Sequence, residues 1–278
     1  MTIRYVLDGL TKYLREAKIA SARLEAEMLL AHALGVDRLD LYLHPEHALT
    51  EEQYQRVRAL ARQRVQGEPL QYLLGSVPFY NVELKLSPAV LIPRPETEEL
   101  VDRIVKDFRA PPSRVLDLGT GSGAIAIALA KTWPQSRIVA IDVSEEALAL
   151  ARQNALANGV QIEFVRSDWY SALTDSFDLI VSNPPYVRSS ALDHAQREVQ
   201  REPRRALDGG PDGLEAITRI IRDSVHFLTP YGRLYVEIDT DQGERVRQLL
   251  LATEVFSRAD ILQDSSGRVR FARAMRSA

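Results

Sequence analysis

One stretch near the middle of this 278-residue chain constrains its fold more than any other. Residues 114–118 form an apolar strand that runs into Gly119-Thr120-Gly121-Ser122-Gly123, and residues 124–131 then read as a helix. Glycines between a buried strand and a helix let the backbone turn sharply and approach a ligand closely. The alternation continues with strands at 137–141, 162–166, 177–181 and 233–238 and helices at 145–158, 214–227 and 243–252. A last strand falls near 268–274. Repeated βαβ units predict an α/β fold: a Rossmann-like, doubly wound, mostly parallel sheet.

Upstream the texture is helical. Leu10, Leu14 and Ala17 form one apolar stripe, and Leu24, Met28, Leu29 and Ala31 form another. Thr50-Glu51-Glu52-Gln53 has the form of a capping box that opens a helix through Val57, Leu60, Ala61 and Val65. Gly35 and His44-Pro45 supply breaks. Residues 1–74 are therefore expected to form a small all-helical N-terminal domain. Residues 75–92 read as a β-hairpin linker with strands at 79–86 and 89–92. Residues 93–278 carry the sheet, beginning with a helix that has Pro95 in its first turn.

Charge and composition exclude some functions. Net charge is −3, the helical segment holds equal numbers of acids and bases, and nothing marks a general polyanion binder. Arg58 and Arg62, one helical turn apart, read as a solvated face. The absence of cysteine removes disulfides, thiolate metal sites and thiol nucleophiles. No signal-peptide core or membrane-length apolar run is visible, which leads us to expect a cytoplasmic protein with no membrane partner.

Asp142 ends the next strand, nineteen residues after Gly123, where a doubly wound nucleotide site places an acid on ribose hydroxyls. The loop is G-x-G-x-G and not the G-x-G-x-x-G of a dinucleotide fold, and it has no Gly-Lys-Ser/Thr ending. It resembles the cofactor loop of class I methyltransferases. Asp117 reads either as an acid near a cationic sulfonium and ammonium or as an anchor of the loop. Asp168 can accept from an adenine amino group, and Trp169 can cover the adenine face or serve as core.

Asn183-Pro184-Pro185-Tyr186 follows the strand at 177–181. Two prolines end the strand and stiffen the turn. The Asn183 side-chain oxygen and the Pro184 carbonyl are then placed to accept the two hydrogens of one NH₂ group, and Tyr186 to stack on the flat group bearing it. Such a clamp answers a chemical need. An amide or aromatic amine has a delocalised lone pair, and accepting both hydrogens returns electron density to nitrogen.

With both motifs in place, the whole chain resembles the bacterial release factor glutamine N5-methyltransferases. The resemblance also rests on residues 90–98 (VLIPRPETE), 117–130 and 198–213 (EVQREPRRALDGGPDG). It implies S-adenosylmethionine as cofactor, S-adenosylhomocysteine as product and no metal. The implied substrate is the glutamine amide of the Gly-Gly-Gln loop in class 1 peptide chain release factors, with the helical domain docking on that partner. Gly119 to Gly123, Asp142, Trp169 and Asn183 would bind the cofactor, and Asn183 to Tyr186 would hold the glutamine. Two departures from the family pattern, Asp239 and Tyr231-Gly232, are expected to lie away from the chemistry, and Glu96 and Glu98 receive no role. The competing enzyme reading is a nucleic-acid amino-group methyltransferase acting on a flipped adenine or guanine. The neutral helical segment weighs against it and against nucleic acid as substrate. A non-catalytic cofactor-binding scaffold would leave the intact clamp unexplained.

Overall fold

The computed structural model describes residues 1–278, which divide into two compact units. One comprises Met1–Ser76 with Gln196–Arg201, the other Val77–Ala195 with Glu202–Ala278. No helix is long and apolar enough to cross a membrane.

The first unit contains α1 (Ile3–Glu16), α2 (Ala22–Leu34), α3 (Asp40–Leu43), α4 (Glu51–Val65) and α5 (Leu70–Leu74). Leu10, Leu14, Leu29, Leu30, Leu41 and Val57 fill its core. The capping box opens α4 as its sequence predicts: Gln53 N–H donates to Thr50 Oγ1 at 3.2 Å and Thr50 N–H to Gln53 Oε1 at 2.9 Å. Two buried acids on α2 are neutralised by arginines. Glu25 pairs with Arg64 at 2.6 Å, and Glu27 with Arg23 and Arg38 at 3.0 and 2.7 Å.

The second unit begins with a hairpin, β1 (Ser76–Phe79) and β2 (Val82–Lys85), followed by α6 (Pro95–Asp107) and β3 (Arg114–Leu118). Then come α7 (Ala124–Thr132), β4 (Arg137–Asp142), α8 (Glu145–Ala157), β5 (Glu163–Arg166) and β6 (Phe177–Ser182). After α9 (Ser189–Leu192) and two 3₁₀ turns follow α10 (Glu215–Phe227), β7 (Leu228–Glu237), α11 (Gly243–Leu251), β8 (Phe256–Gln263) and β9 (Val269–Arg276). Seven strands form one sheet in the order β5-β4-β3-β6-β7-β9-β8. The first five run parallel, and β9 is antiparallel to both neighbours. Two apolar clusters, one around Leu100, Ile127 and Val181 and one around Ile180, Ile217 and Val236, represent its two covered faces. Strand order reverses between β3 and β6, so a crevice opens beyond their carboxyl ends.

Two elements differ from the sequence reading. The second hairpin strand is β2, not 89–92. Residues 87–90 instead form a turn, closed by Val90 N–H to the Ser87 carbonyl at 3.2 Å. Prolines at 88 and 93, which carry no N–H themselves, bracket that run, and Ile92 N–H goes to the Glu202 carboxylate at 3.0 Å. The unanticipated β8 is one of the sheet's two edge strands, and its burial pattern lacks the alternation that would reveal it.

Candidate active site

The crevice at the strand reversal is lined by the glycine loop, by Asp142, Asp168 and Trp169, and by Asn183 and Pro185. Ala89, Val90, Leu91, Pro93, Thr97 and Arg205 also line it. Sequence-distant segments meet here because β3, β4 and β6 are adjacent and parallel, and their last residues share one edge.

The loop is held from below. Gly119 and Thr120 N–H both donate to the Ile141 carbonyl at 3.0 and 2.8 Å. Gly119, Gly121 and Gly123 all have φ between 56° and 87°, the left-handed region that glycine enters at little cost. Asp117 lies beneath the loop and does not line the crevice. Its Oδ2 accepts from Thr120 Oγ1 at 2.7 Å and from Ala126 N–H at 3.2 Å, while Oδ1 has no partner. Burial pushes its carboxyl up to about 7 in spite of those two hydrogen bonds. Of its two readings from sequence, the anchor is the one its contacts match. Asn154 on α8, wholly buried, adds a second anchor that sequence reasoning missed. Its Nδ2 donates to the Ser122 and Lys85 carbonyls at 2.9 and 3.1 Å, and its Oδ1 accepts from Lys85 N–H at 2.8 Å.

Asp142 accepts Gly121 N–H on Oδ2 and Ser144 N–H on Oδ1, both at 2.9 Å. Each oxygen keeps a lone pair for a further donor. Trp169 sits at φ 52°, an uncommon backbone state for a bulky residue. Its ring lies 3.7 Å from where a Gly119 Cβ would stand, so the indole covers the loop. Asp168 lines the crevice, yet its carboxylate pairs with Arg219 of α10 at 2.8 Å.

In the Asn-Pro-Pro-Tyr segment, Asn183 and Pro185 line the crevice, Pro184 is buried, and Tyr186 is tethered behind them. Asn183 Nδ2 donates to Thr97 Oγ1 at 2.9 Å. Thr97 in turn donates to Glu237 Oε2 at 2.7 Å, and the Tyr186 hydroxyl donates to Glu237 Oε1 at 3.1 Å. Burial and the Glu237 charge push the Tyr186 phenol upward. Burial likewise pushes the Glu237 carboxyl up to about 7, against the two hydrogen bonds it accepts. Asp239 and Tyr231-Gly232 do not line the crevice, but the loop after β7 reaches the tetrapeptide through another residue. Gln242 Nε2 donates to the Tyr186 and Gly213 carbonyls, both at 3.0 Å, so this loop supports the tetrapeptide directly.

Residues 202–213 close the wall, with Arg205 and Ala206 lining it. Glu202, 2% exposed in its side chain, pairs with Arg94 at 2.5 Å as well as with Ile92 N–H. Val187 N–H donates to the Leu207 carbonyl at 2.9 Å and Gly209 N–H to the Val187 carbonyl at 2.8 Å.

Family comparisons agree with this layout. The PrmC N-terminal domain matches residues 6–75 and the methyltransferase small domain matches 96–211. A release factor glutamine methyltransferase of Geobacter sulfurreducens is 44% identical over 248 residues, covering 88% of this chain and 87% of the relative. One from Agrobacterium fabrum is 37% identical over 97% of this chain and 96% of its own. The chain belongs to the release factor glutamine methyltransferase family. Its fold is also that of a methyltransferase from Pyrococcus furiosus, with a TM-score of 0.55 at 16% identity over 81% of this chain and 98% of the other. Within the family frame, Thr97, Asn154 and Glu237 are the crevice-supporting residues that the sequence left unmarked. Thr97 sits in the 90–98 motif, and its hydroxyl between two acids was the one available signal.

Proposed function

We propose that this family member transfers the methyl group of S-adenosylmethionine to the side-chain amide nitrogen of a glutamine. The target is the glutamine of the Gly-Gly-Gln loop of class 1 peptide chain release factors, and the reaction takes place in the cytoplasm. The observation that carries the reading is the state of Asn183. Its NH₂ is committed to Thr97, so its Oδ1 is left to accept from a group in the crevice. An acceptor is what an incoming NH₂ requires. The names of relatives that cover most of the chain support a release factor glutamine as the acceptor.

S-adenosylmethionine, when bound, supplies an electrophilic methyl on a sulfonium and leaves as S-adenosylhomocysteine. The crevice fits such a group. Asp142 retains acceptor capacity for ribose hydroxyls, and Trp169 offers an aromatic face for adenine. Asp168 shares its acceptor capacity with Arg219, and the glycine loop admits close backbone approach. Asn183 Oδ1 and the Pro184 carbonyl would accept the two amide hydrogens, Pro185 would frame the flat carboxamide, and Tyr186, bonded to Glu237, would support it from behind. As the N–C bond forms, the nitrogen gives up one of its two hydrogens as a proton, and the amide NH₂ becomes NHCH₃. No metal enters this chemistry. The helical unit would dock the release factor.

The test incubates the full chain with labelled S-adenosylmethionine and an unmethylated release factor, then maps the methyl by peptide mass spectrometry. Parallel reactions contain tRNA, rRNA and DNA. Methyl on the Gly-Gly-Gln glutamine is expected, falling by about 10²–10³-fold in Asn183→Ala as for loss of an oriented acceptor. Label confined to nucleic acid would overturn the substrate.

A further inference from the structure

We propose that Thr97 and Glu237 are positioning residues that fix the polarity of the Asn183 amide, so that its oxygen and not its NH₂ meets the substrate nitrogen. The inference rests on the methyl-transfer reading above. An asparagine amide has two nearly isosteric ends, and a flip would set NH₂ against NH₂. Proline neighbours stiffen the backbone but do not choose between the ends.

Hydrogen bonding does choose. The Thr97 hydroxyl has one proton, which it gives to Glu237 Oε2 at 2.7 Å. It must therefore accept from its other neighbour, and Asn183 Nδ2 is that neighbour at 2.9 Å. Glu237 closes the chain because an ionised carboxylate can only accept. Its second oxygen takes the Tyr186 hydroxyl, so one wholly buried acid orders both polar ends of the tetrapeptide. Polarity thus runs in one direction, from Asn183 through Thr97 to Glu237.

A protonated Glu237 could donate to Thr97, whose own hydrogen would then turn toward Asn183 and favour the flipped amide. The groups acting on this acid are Glu96 and Thr97 of α6, Tyr186 after β6 and Arg270 of β9, with Asp239 beyond β7 acting on Tyr186. Burial and Glu96 raise its carboxyl, while Thr97, Tyr186 and Arg270 oppose the rise. The clamp is accordingly correctly poled above about pH 7 and loses its polarity below.

The experiment compares full-length wild type with Thr97→Val, Thr97→Ser and Glu237→Gln. It measures kcat and KM for the release factor across pH, cofactor affinity by calorimetry and melting temperature. Wild type should lose kcat as pH falls through about 7. Thr97→Val should lower kcat by about 10- to 100-fold with cofactor affinity within about twofold, and Thr97→Ser should recover most of the rate. Glu237→Gln should be slow and lack the acid limb. If Glu237→Gln does not fold, the Val and Ser pair decides alone. Wild-type kcat in Thr97→Val, or an acid limb kept in Glu237→Gln, overturns the inference while leaving the function intact. A wild-type chain that never labels the release factor overturns both.

Discussion

Asn154 holds the Ser122 carbonyl at 2.9 Å from a position with no solvent exposure, so a helix two elements away sets the height of the glycine loop. The same side chain exchanges two hydrogen bonds with the Lys85 backbone at the end of β2. Removing it would strand one buried donor and two carbonyls. Asn154→Leu is expected to cost about 2–3 kcal/mol in denaturant unfolding and to weaken S-adenosylmethionine binding measured by calorimetry. A variant that unfolds earlier but binds cofactor at full affinity would show that β2, and not the loop, depends on Asn154.

Gly213 stands where the 198–213 stretch meets the tetrapeptide. A Cβ there would lie 2.4 Å from the Tyr186 carbonyl oxygen and 2.6 Å from Gln242 Nε2, at φ +75°. The backbone state alone costs about 1–2 kcal/mol for an L-residue, and the clash adds to it. Gly267, at φ +83° with open space around its Cβ position, isolates the first contribution. Gly213→Ala should therefore destabilise more than Gly267→Ala, by about 2 kcal/mol, and should cut methyl transfer while Gly267→Ala preserves it. Equal melting temperatures and rates for the two variants would show that Tyr186 moves aside freely.

Much of this architecture is legible because its signals are local. The strand, glycine turn and helix at 114–131 and the prolines that end β6 act within a few residues, and the sheet's chirality rules supply the rest. What escapes is held by pairs far apart in the chain. Thr97 and Glu237 are 140 residues apart, and Asn183 and Thr97 are 86 apart. Asn154 does not differ in sequence from any polar residue on a helix, and the setting of Thr97 between two acids does not reveal its partners. The run 89–92 is misleading for a related reason. It is apolar enough for a strand, but its buried donor belongs to Glu202, 110 residues downstream.

Within the helical unit, Arg64 joins α4 to α2 and to the 196–201 segment, pairing with Glu25 at 2.6 Å and Glu198 at 2.8 Å. Its side chain is 9% exposed, so its loss would leave the nearly buried Glu25 uncompensated. Arg64→Ala is expected to destabilise this unit by about 3 kcal/mol, and Arg64→Leu with Glu25→Leu to recover much of that. Hydrogen exchange at residues 196–201 should quicken in Arg64→Ala. Unchanged exchange there would mean that the Glu198 pair contributes little to holding that segment.

Two buried acids make stability depend on pH in an unusual sense. The carboxyls of Asp117 and Glu237 are both pushed up to about 7 by burial. In the unfolded chain they titrate near 4. Between those values the folded chain keeps protons that the unfolded chain has released, so stability falls as pH rises through the window. Other carboxylates act oppositely. Against their burial, Tyr235 and Arg273 hold Asp107 below the ordinary range, and Tyr42, Arg38 and Arg23 do the same for Glu27. Their contribution is present above about pH 4 and is lost as pH falls below it. Maximum stability of the cofactor-free protein should therefore lie near pH 5, about two pH units below neutrality. Calorimetric melting from about pH 4 to about pH 8 checks this, and Asp117→Asn should remove roughly half of the decline. A melting temperature that rises from pH 5 to pH 8 would mean that both acids are ionised within the fold, with Thr120, Ala126, Thr97 and Tyr186 sufficient to hold the charge.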